Sequence, residues 1–468
     1  VTDGIEPALD PANAAPVRVA SESLKQVAAV RTSALEALAA GRAVYGVNTG
    51  MGNLSKVRLS DDEQRVHQRN LLLGRAVGGP PWLAPDEARA VLIGRLRTFL
   101  TGDAAVSVGL VQQLVALINS GHTPAIPEEG AGSAGEIIPL AHAMAPLIGE
   151  GWLLAKDSEV VSAAGLLPPF ELGVKEGIAL LAGIPGATGR AALQVARVRK
   201  LADRLTAVAA AGIAVIGANR DPYHPLAGRG DDVLADELTR LRELTGPEDN
   251  PRSLQAPVSF RVAGQVIAHV RRATQHLDDA VQRAFDGVSD SPAYLDGEFV
   301  GTAGFHGIDL TAHCDQLTVA LAHAAEVSAA RLHRLLDPAV TGLTAQLARD
   351  PGPQAGLVAV HKRAVATTHQ LRRLTLPTAI NTVETSNGQE DVQTFSWEAV
   401  GNLAEAIRLT RETTACELLA VRQAVALSGR QLPGALQGLM DEVDAVVPPI
   451  DADRPFGADL TNLLRDVL

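Results

Sequence analysis

Apolar residues recur at spacings of three and four through several long stretches of this chain. Val198, Leu201, Leu205 and Val208 form one stripe, with Arg197, Arg199, Lys200 and Arg204 around them. Leu317, Leu321, Ala324 and Val327 repeat the pattern before a stop at Asp337-Pro338. Val400, Leu403, Ile407, Thr414, Leu418, Val421 and Val425 carry it further and end near Gly429. Spacings of this kind predict long helices with one apolar face. Such helices pack most simply as a bundle. The segments Tyr45–Asn53, Pro124–Gly135, Gly246–Pro257, Gly301–Gly307 and Asn381–Gly388 are rich in Gly, Pro, Asn and Ser and read as loops.

Composition supports a mostly α fold. The 468 residues include only 8 Phe, 3 Trp and 3 Tyr, whereas β-rich domains lean on aromatic and β-branched residues. Length sets a prior of about three domain-sized units, although one large helical architecture also fits. The net charge of −12 argues against a nucleic-acid partner, which would need a basic face. Two cysteines, Cys314 and Cys416, cannot build a disulfide framework, so a cytoplasmic location is expected. The Val1-Thr2-Asp3-Gly4 start does not read as a signal peptide. The run Val208–Ala218 is too short to span a bilayer, so no membrane partner is expected.

Three chemical motifs carry little. Gly130–Gly135 matches G-x-G-x-x-G, but two prolines and two acids precede it, and a pyrophosphate would be repelled there. His306, His313, Cys314 and Asp315 lack zinc spacing, so no metal is expected. Ser133 is not in a G-x-S-x-G elbow.

Taken together, seven motifs are more informative. Val44-Tyr-Gly-Val-Asn-Thr-Gly50, Asn70-Leu-Leu-Leu-Gly-Arg75, Gly132-Ser-Ala-Gly-Glu-Ile-Ile-Pro-Leu-Ala-His142, Lys175-Glu-Gly-Ile-Ala-Leu-Leu-Ala182, Gln255-Ala-Pro-Val-Ser-Phe-Arg261, Gly304-Phe-His-Gly307 and Gln389-Glu-Asp391 occur in this order. The set resembles the histidine and aromatic amino-acid ammonia-lyase family. That resemblance implies a mostly α, ammonia-lyase/fumarase-like long-helix bundle with an N-terminal catalytic region. Residues 1–195 would hold that region, and 196–468 the central bundle and C-terminal helices, as one continuous architecture. It also implies a homotetramer whose active sites combine loops from three chains. The family's electrophile, 4-methylidene-imidazol-5-one (MIO), forms from an internal Ala-Ser-Gly.

Here the sequence departs from the family pattern. Anchoring on Pro139-Leu-Ala-His142 places the MIO tripeptide on Ser133, Ala134 and Gly135, so the residue that must lose water is an alanine. A one-residue slip would use Gly132-Ser133-Ala134 instead. Arg75 stands where the family has histidine, Ala182 and Gly304 where it has asparagine, Val258 where it has tyrosine, and Glu136 where aspartate is usual. Several polar groups have changed together, which favours a natural MIO-free homologue over a single mutated serine; no cofactor is then expected.

The retained residues point to acid–base chemistry. Tyr45 matches the family's catalytic base, and a phenol needs neighbouring positive charge or hydrogen bonds to serve as one near neutral pH. Arg75 and Arg261 are candidates for that field; a structural ion pair of Arg75 with Glu136 or Glu390 is the alternative. Arg261 matches the carboxylate-binding arginine, and Glu390 and Gln389 match the pair near the substrate amine. The expected catalytic set is Tyr45, Glu390 and Arg75. The substrate-binding set is Arg261, Gln255, Phe305, Gln389, Ala182, Val258 and His306. The losses at Ala182, Val258 and Gly304 predict a larger, more apolar pocket for a small-molecule substrate. The leading reading is a MIO-independent lyase, isomerase or cyclase acting on a carbonyl- or carboxylate-bearing substrate. Alternatives are a conventional MIO ammonia-lyase or aminomutase, or a silent binding or regulatory homologue.

Overall fold

The computed structural model describes residues 5–6, 15–155, 159–380 and 383–468. The first four residues and Asn381 therefore lie outside the described residues. In chain order the helices are α1 Ser21–Ala39, α2 Asp61–Leu73, α3 Pro85–Leu100, α4 Val108–Asn119, α5 Ile137–Met144, α6 Glu176–Leu181, α7 Pro185–Val215 and α8 Asp232–Thr245. They continue as α9 Val258–Arg261, α10 Ala263–Asp286, α11 Ile308–Leu335, α12 Pro338–Thr341, α13 Val358–Arg372, α14 Ser396–Ser428, α15 Gly434–Val446 and α16 Gly457–Asp466. Strands are short and antiparallel: Ile5–Glu6 with Arg18–Val19, Trp152–Leu154 with Thr123–Pro124 on one side and Val160–Ser162 on the other, and Ala293–Leu295 with Glu298–Val300.

The three periodic stretches lie in α7, α11 and α14, the longest helices. Their ends follow local chemistry. Pro185 opens α7, α11 stops before Asp337-Pro338, and Gly429, at φ +63°, follows α14. Ser60 and Glu63 form a reciprocal capping box on α2, and Ser107 caps α4. Glu176–Val215 is long and apolar enough to cross a membrane, but 89 % of its most apolar window is buried inside the protein.

The chain forms two units rather than three. Unit 1 comprises 1–196, 277–314 and 377–401, and unit 2 comprises 197–276, 315–376 and 402–468. Two segments C-terminal of the expected 195/196 boundary thus belong with the N-terminal region, because the chain returns along α10, α11 and α14.

In unit 1, α3 and α7 touch backbone to backbone. A Cβ at Gly94 would lie 2.1 Å from the Pro185 carbonyl oxygen, and one at Gly189 would lie 2.1 Å from that of Ala90. Around this contact Val91, Ile93, Leu96, Phe99, Leu140 and Leu180 build the core. In unit 2, the guanidinium of Arg331 on α11 meets the Glu417 carboxylate of α14 through two hydrogen bonds of 2.6 and 2.8 Å, and the Ser328 hydroxyl donates a third at 2.5 Å. All three side chains are buried.

Breaking a buried pair leaves an uncompensated charge, which costs about 3–5 kcal/mol. Glu417→Ala should therefore lower the denaturation midpoint strongly in a denaturant titration. A loss under about 1 kcal/mol would mean that the guanidinium finds water or another partner.

Candidate active site

A cavity of 400 Å³ in unit 1 gathers Tyr45, Ala134, Ala182, Phe305, Gln389 and Glu390. Met51, Ile137, Ile178, Leu181 and Val392 make much of its wall apolar, while Ser291 and Asp391 add polar groups. Tyr45 follows α1 in a tight turn. Its hydroxyl oxygen accepts a 2.7 Å hydrogen bond from the Gly52 N–H, and no acceptor for its own proton occurs among the described residues. The turn is held from behind by Gln68 of α2, which is fully buried. The Gln68 Nε2 donates to the Gly46 carbonyl at 3.1 Å, and its Oε1 accepts from the Ile178 N–H at 3.1 Å. One amide thereby ties the Tyr45 turn to α6.

Glu390 is fixed as firmly. Its Oε2 accepts from the Ala134 N–H at 3.0 Å and from the Thr385 hydroxyl at 2.9 Å. Backbone pairing between Thr385 and Glu390 closes the same turn. In the 133–135 loop the Ser133 hydroxyl donates to the Gly135 carbonyl at 3.3 Å. Gly135 sits at φ +82°, the left-handed region that favours glycine.

Next in the chain, Glu136 is completely buried. Its two oxygens accept from the Gly186 and Ala187 N–H groups at 2.8 and 2.7 Å, the first turn of α7. Glu136 thus anchors the 133–135 loop to the start of α7.

The remaining expected residues are distributed differently. Arg75 has no carboxylate within ion-pair distance among the described residues; it donates to the Leu71 carbonyl at 3.3 Å and approaches the Met51 sulfur at 3.8 Å. Burial draws its pKa down, while the charges of Tyr45 and Glu390 oppose that shift. The structural pairing with Glu136 or Glu390 is therefore not formed. His306 and Gly304 line a separate cavity of 370 Å³ in unit 1. His313 instead faces Asp309 at 3.4 Å. Gln255, Val258 and Arg261 belong to unit 2 and line a 430 Å³ cavity there.

Of the three positions Ala182, Val258 and Gly304, Ala182 lies on the wall of the Tyr45 cavity of this chain. A Cβ at Gly304 would lie 1.9 Å from the Val288 carbonyl oxygen, so glycine there admits the 288–289 backbone and leaves the Tyr45 cavity unchanged. Val258 is 57 % exposed in this chain and lines the unit 2 cavity. Sequence reasoning missed Gln68, Thr385 and Ser291. Only Gln68 left a trace, a neutral polar residue on the apolar side of α2, beside Leu71 and Leu72.

Burial pushes the Glu136 carboxyl from its ordinary 4.5 up to about 7, against the two N–H donors and the charges of Arg95 and Arg190. The folded chain then holds this proton more tightly than the unfolded one. The stabilisation is complete below pH 4.5 and is lost as pH rises through 7. Wild-type stability relative to Glu136→Gln should fall over that window by on the order of 3 kcal/mol. Denaturant unfolding at several pH values checks this; a difference independent of pH would contradict it.

Comparison with known proteins agrees with this architecture. The aromatic amino acid lyase family matches residues 5–445. Histidine ammonia-lyase from Geobacillus thermodenitrificans is 30 % identical over 463 residues, covering 95 % of this chain and 91 % of its own. The MIO-dependent tyrosine 2,3-aminomutase of Streptomyces globisporus is also 30 % identical over 463 residues, covering 91 % and 85 %. The structure of ergothionase from Treponema denticola superposes with a TM-score of 0.90 at 22 % identity, covering 97 % of this chain and 94 % of that one; this likeness is one of fold. With a family match spanning nearly the whole chain and the fold to accompany it, the protein belongs to the aromatic amino acid lyase family.

Proposed function

We propose that this lyase-like enzyme runs acid–base chemistry through Tyr45, without MIO, on a small substrate bearing a carboxylate or carbonyl. The observation that carries the reading is Ala134. It lies on the wall of the Tyr45 cavity at the position that must lose a hydroxyl, and it has none. The slipped register would close the ring through the Ala134 nitrogen, whose N–H is engaged by Glu390. It would also leave the left-handed Gly135 outside the ring. These residues do not fit MIO formation.

The chain's own groups supply the rest. Tyr45, its oxygen already accepting one N–H, stands as the base for a proton next to the carbonyl. The Arg75 guanidinium reaches the Met51 sulfur on the wall of the same cavity at 3.8 Å and brings a positive charge to it. Glu390, pinned by Ala134 and Thr385, presents a carboxylate to a cationic or protonated leaving group. Phe305 and the apolar wall shed water from the reacting carbon. Ammonia leaves poorly without an activating electrophile, so the reading favours a better leaving group, a conjugate addition, or an isomerisation or cyclisation.

Arg261, Gln255 and Val258 enter this proposal from a second copy. The family resemblance implies tetramers with shared sites, and we extend that arrangement to this chain. The competing reading, a conventional MIO enzyme, draws on the names of the relatives and on Ser133 in the loop.

Intact-mass spectrometry separates the two. The measured mass should equal the sum of the sequence, and a deficit of two waters would overturn the proposal. On the substrate identified from neighbouring genes, Tyr45→Phe should lower kcat by roughly 10²–10⁴. A variant that keeps full activity would remove Tyr45 from the mechanism.

A further inference from the structure

The unit 2 cavity holds two arginines, Arg252 and Arg261, and no acidic side chain. This is an unusual local balance in a chain whose net charge is −12. The guanidiniums are positioned but unspent. Arg261 donates through Nε to the Ala256 carbonyl at 2.9 Å, which orients the group and leaves its terminal fork without a partner among the described residues. Arg252 is exposed, and its backbone is fixed by donation from its N–H to the Gly217 carbonyl at 2.9 Å. Its guanidinium lies against Gly342, where an added Cβ would come within 2.2 Å of Nη1. Among the described residues its side chain makes no hydrogen bond or ion pair. Glu248, earlier in the same loop, is taken by Arg430 at 3.0 Å.

We infer that this cavity is a binding site for a dianionic oxyanion end group, a phosphoryl group or a pair of carboxylates. One guanidinium fork satisfies the two oxygens of a single carboxylate. A second guanidinium, together with the Gln255 amide and the Ser253 hydroxyl of the same cavity, supplies more donors than that group can accept. A dianion with three or four oxygens uses both forks. The inference rests on the preceding reading only in treating Arg261 as anion-binding. It narrows the substrate class from a monocarboxylate to a molecule with a dianionic end.

Isothermal titration calorimetry on the full chain, at constant ionic strength, tests it with potassium phosphate, sodium succinate and sodium acetate as probes. Phosphate or succinate should bind saturably at one site per chain, with acetate at least about tenfold weaker. Tighter phosphate identifies a phosphoryl end; tighter succinate identifies a dicarboxylate. Arg252→Gln should weaken the better probe at least about tenfold, and Arg252→Lys, which keeps the charge but not the fork, should recover part of the loss. The unliganded thermal midpoint of Arg252→Gln should match wild type, because the side chain is exposed and unbonded. No saturable binding of either dianion, equal affinity for acetate, or unchanged affinity in Arg252→Gln would overturn the inference. None of these measurements involves Tyr45 or the 133–135 loop, so this inference and the MIO-free reading fail separately.

Discussion

The buried contact between Glu136 and the first turn of α7 is the constraint on which the candidate site depends. A helix start leaves N–H groups without intrahelical partners, and here that start lies inside the protein, out of reach of bulk water. Glu136 meets two of these groups with one carboxylate. Its chain neighbours are the loop residues 133–135, so satisfying the helix also fixes the loop. Gly186 contributes by being small: a Cβ there would lie 2.7 Å from the Glu136 oxygen and 2.7 Å from the Trp397 ring.

From that anchor the site is assembled by single polar side chains, each bridging two elements. Glu390 joins the 133–135 loop to the turn at Thr385, and Gln68 joins the Tyr45 turn to α6. Buried amides and carboxylates in such positions are costly to leave unpaired, so every partner is held in one geometry. The cavity wall around Tyr45 is thereby pinned by these polar bridges, with apolar residues filling the remainder. Ala134 enters this scaffold through its backbone N–H, which meets the Glu390 carboxylate.

The long helices were legible because burial imposes a period. Val198 through Val208 and Val400 through Val425 repeat at three and four residues since one face of each helix is packed. Tyr45, Glu390, Phe305 and Gln389 were legible through motif order and do share one cavity. Gly304 departs from expectation: its missing side chain admits the Val288 carbonyl and adds no space to the Tyr45 cavity. Gln68 was nearly invisible, because its function is a bridge between residues 22 and 110 positions away, and one sequence carries no mark of such a partner.

What the sequence determined by itself was local and periodic. It set where helices run, where Gly- and Pro-rich turns interrupt them, and that Ala134 carries no hydroxyl to lose. These properties depend on residue type and on neighbours a few positions away. Tertiary structure decided which of the motif residues meet. Tyr45 and Glu390 are 345 positions apart yet line one cavity, whereas Gln255, Val258 and Arg261 line another with Arg252. It also decided that Arg75 makes no ion pair among the described residues and that the Glu136 carboxyl meets the start of α7. Each of those outcomes turns on distance and burial between remote segments, which no local pattern encodes.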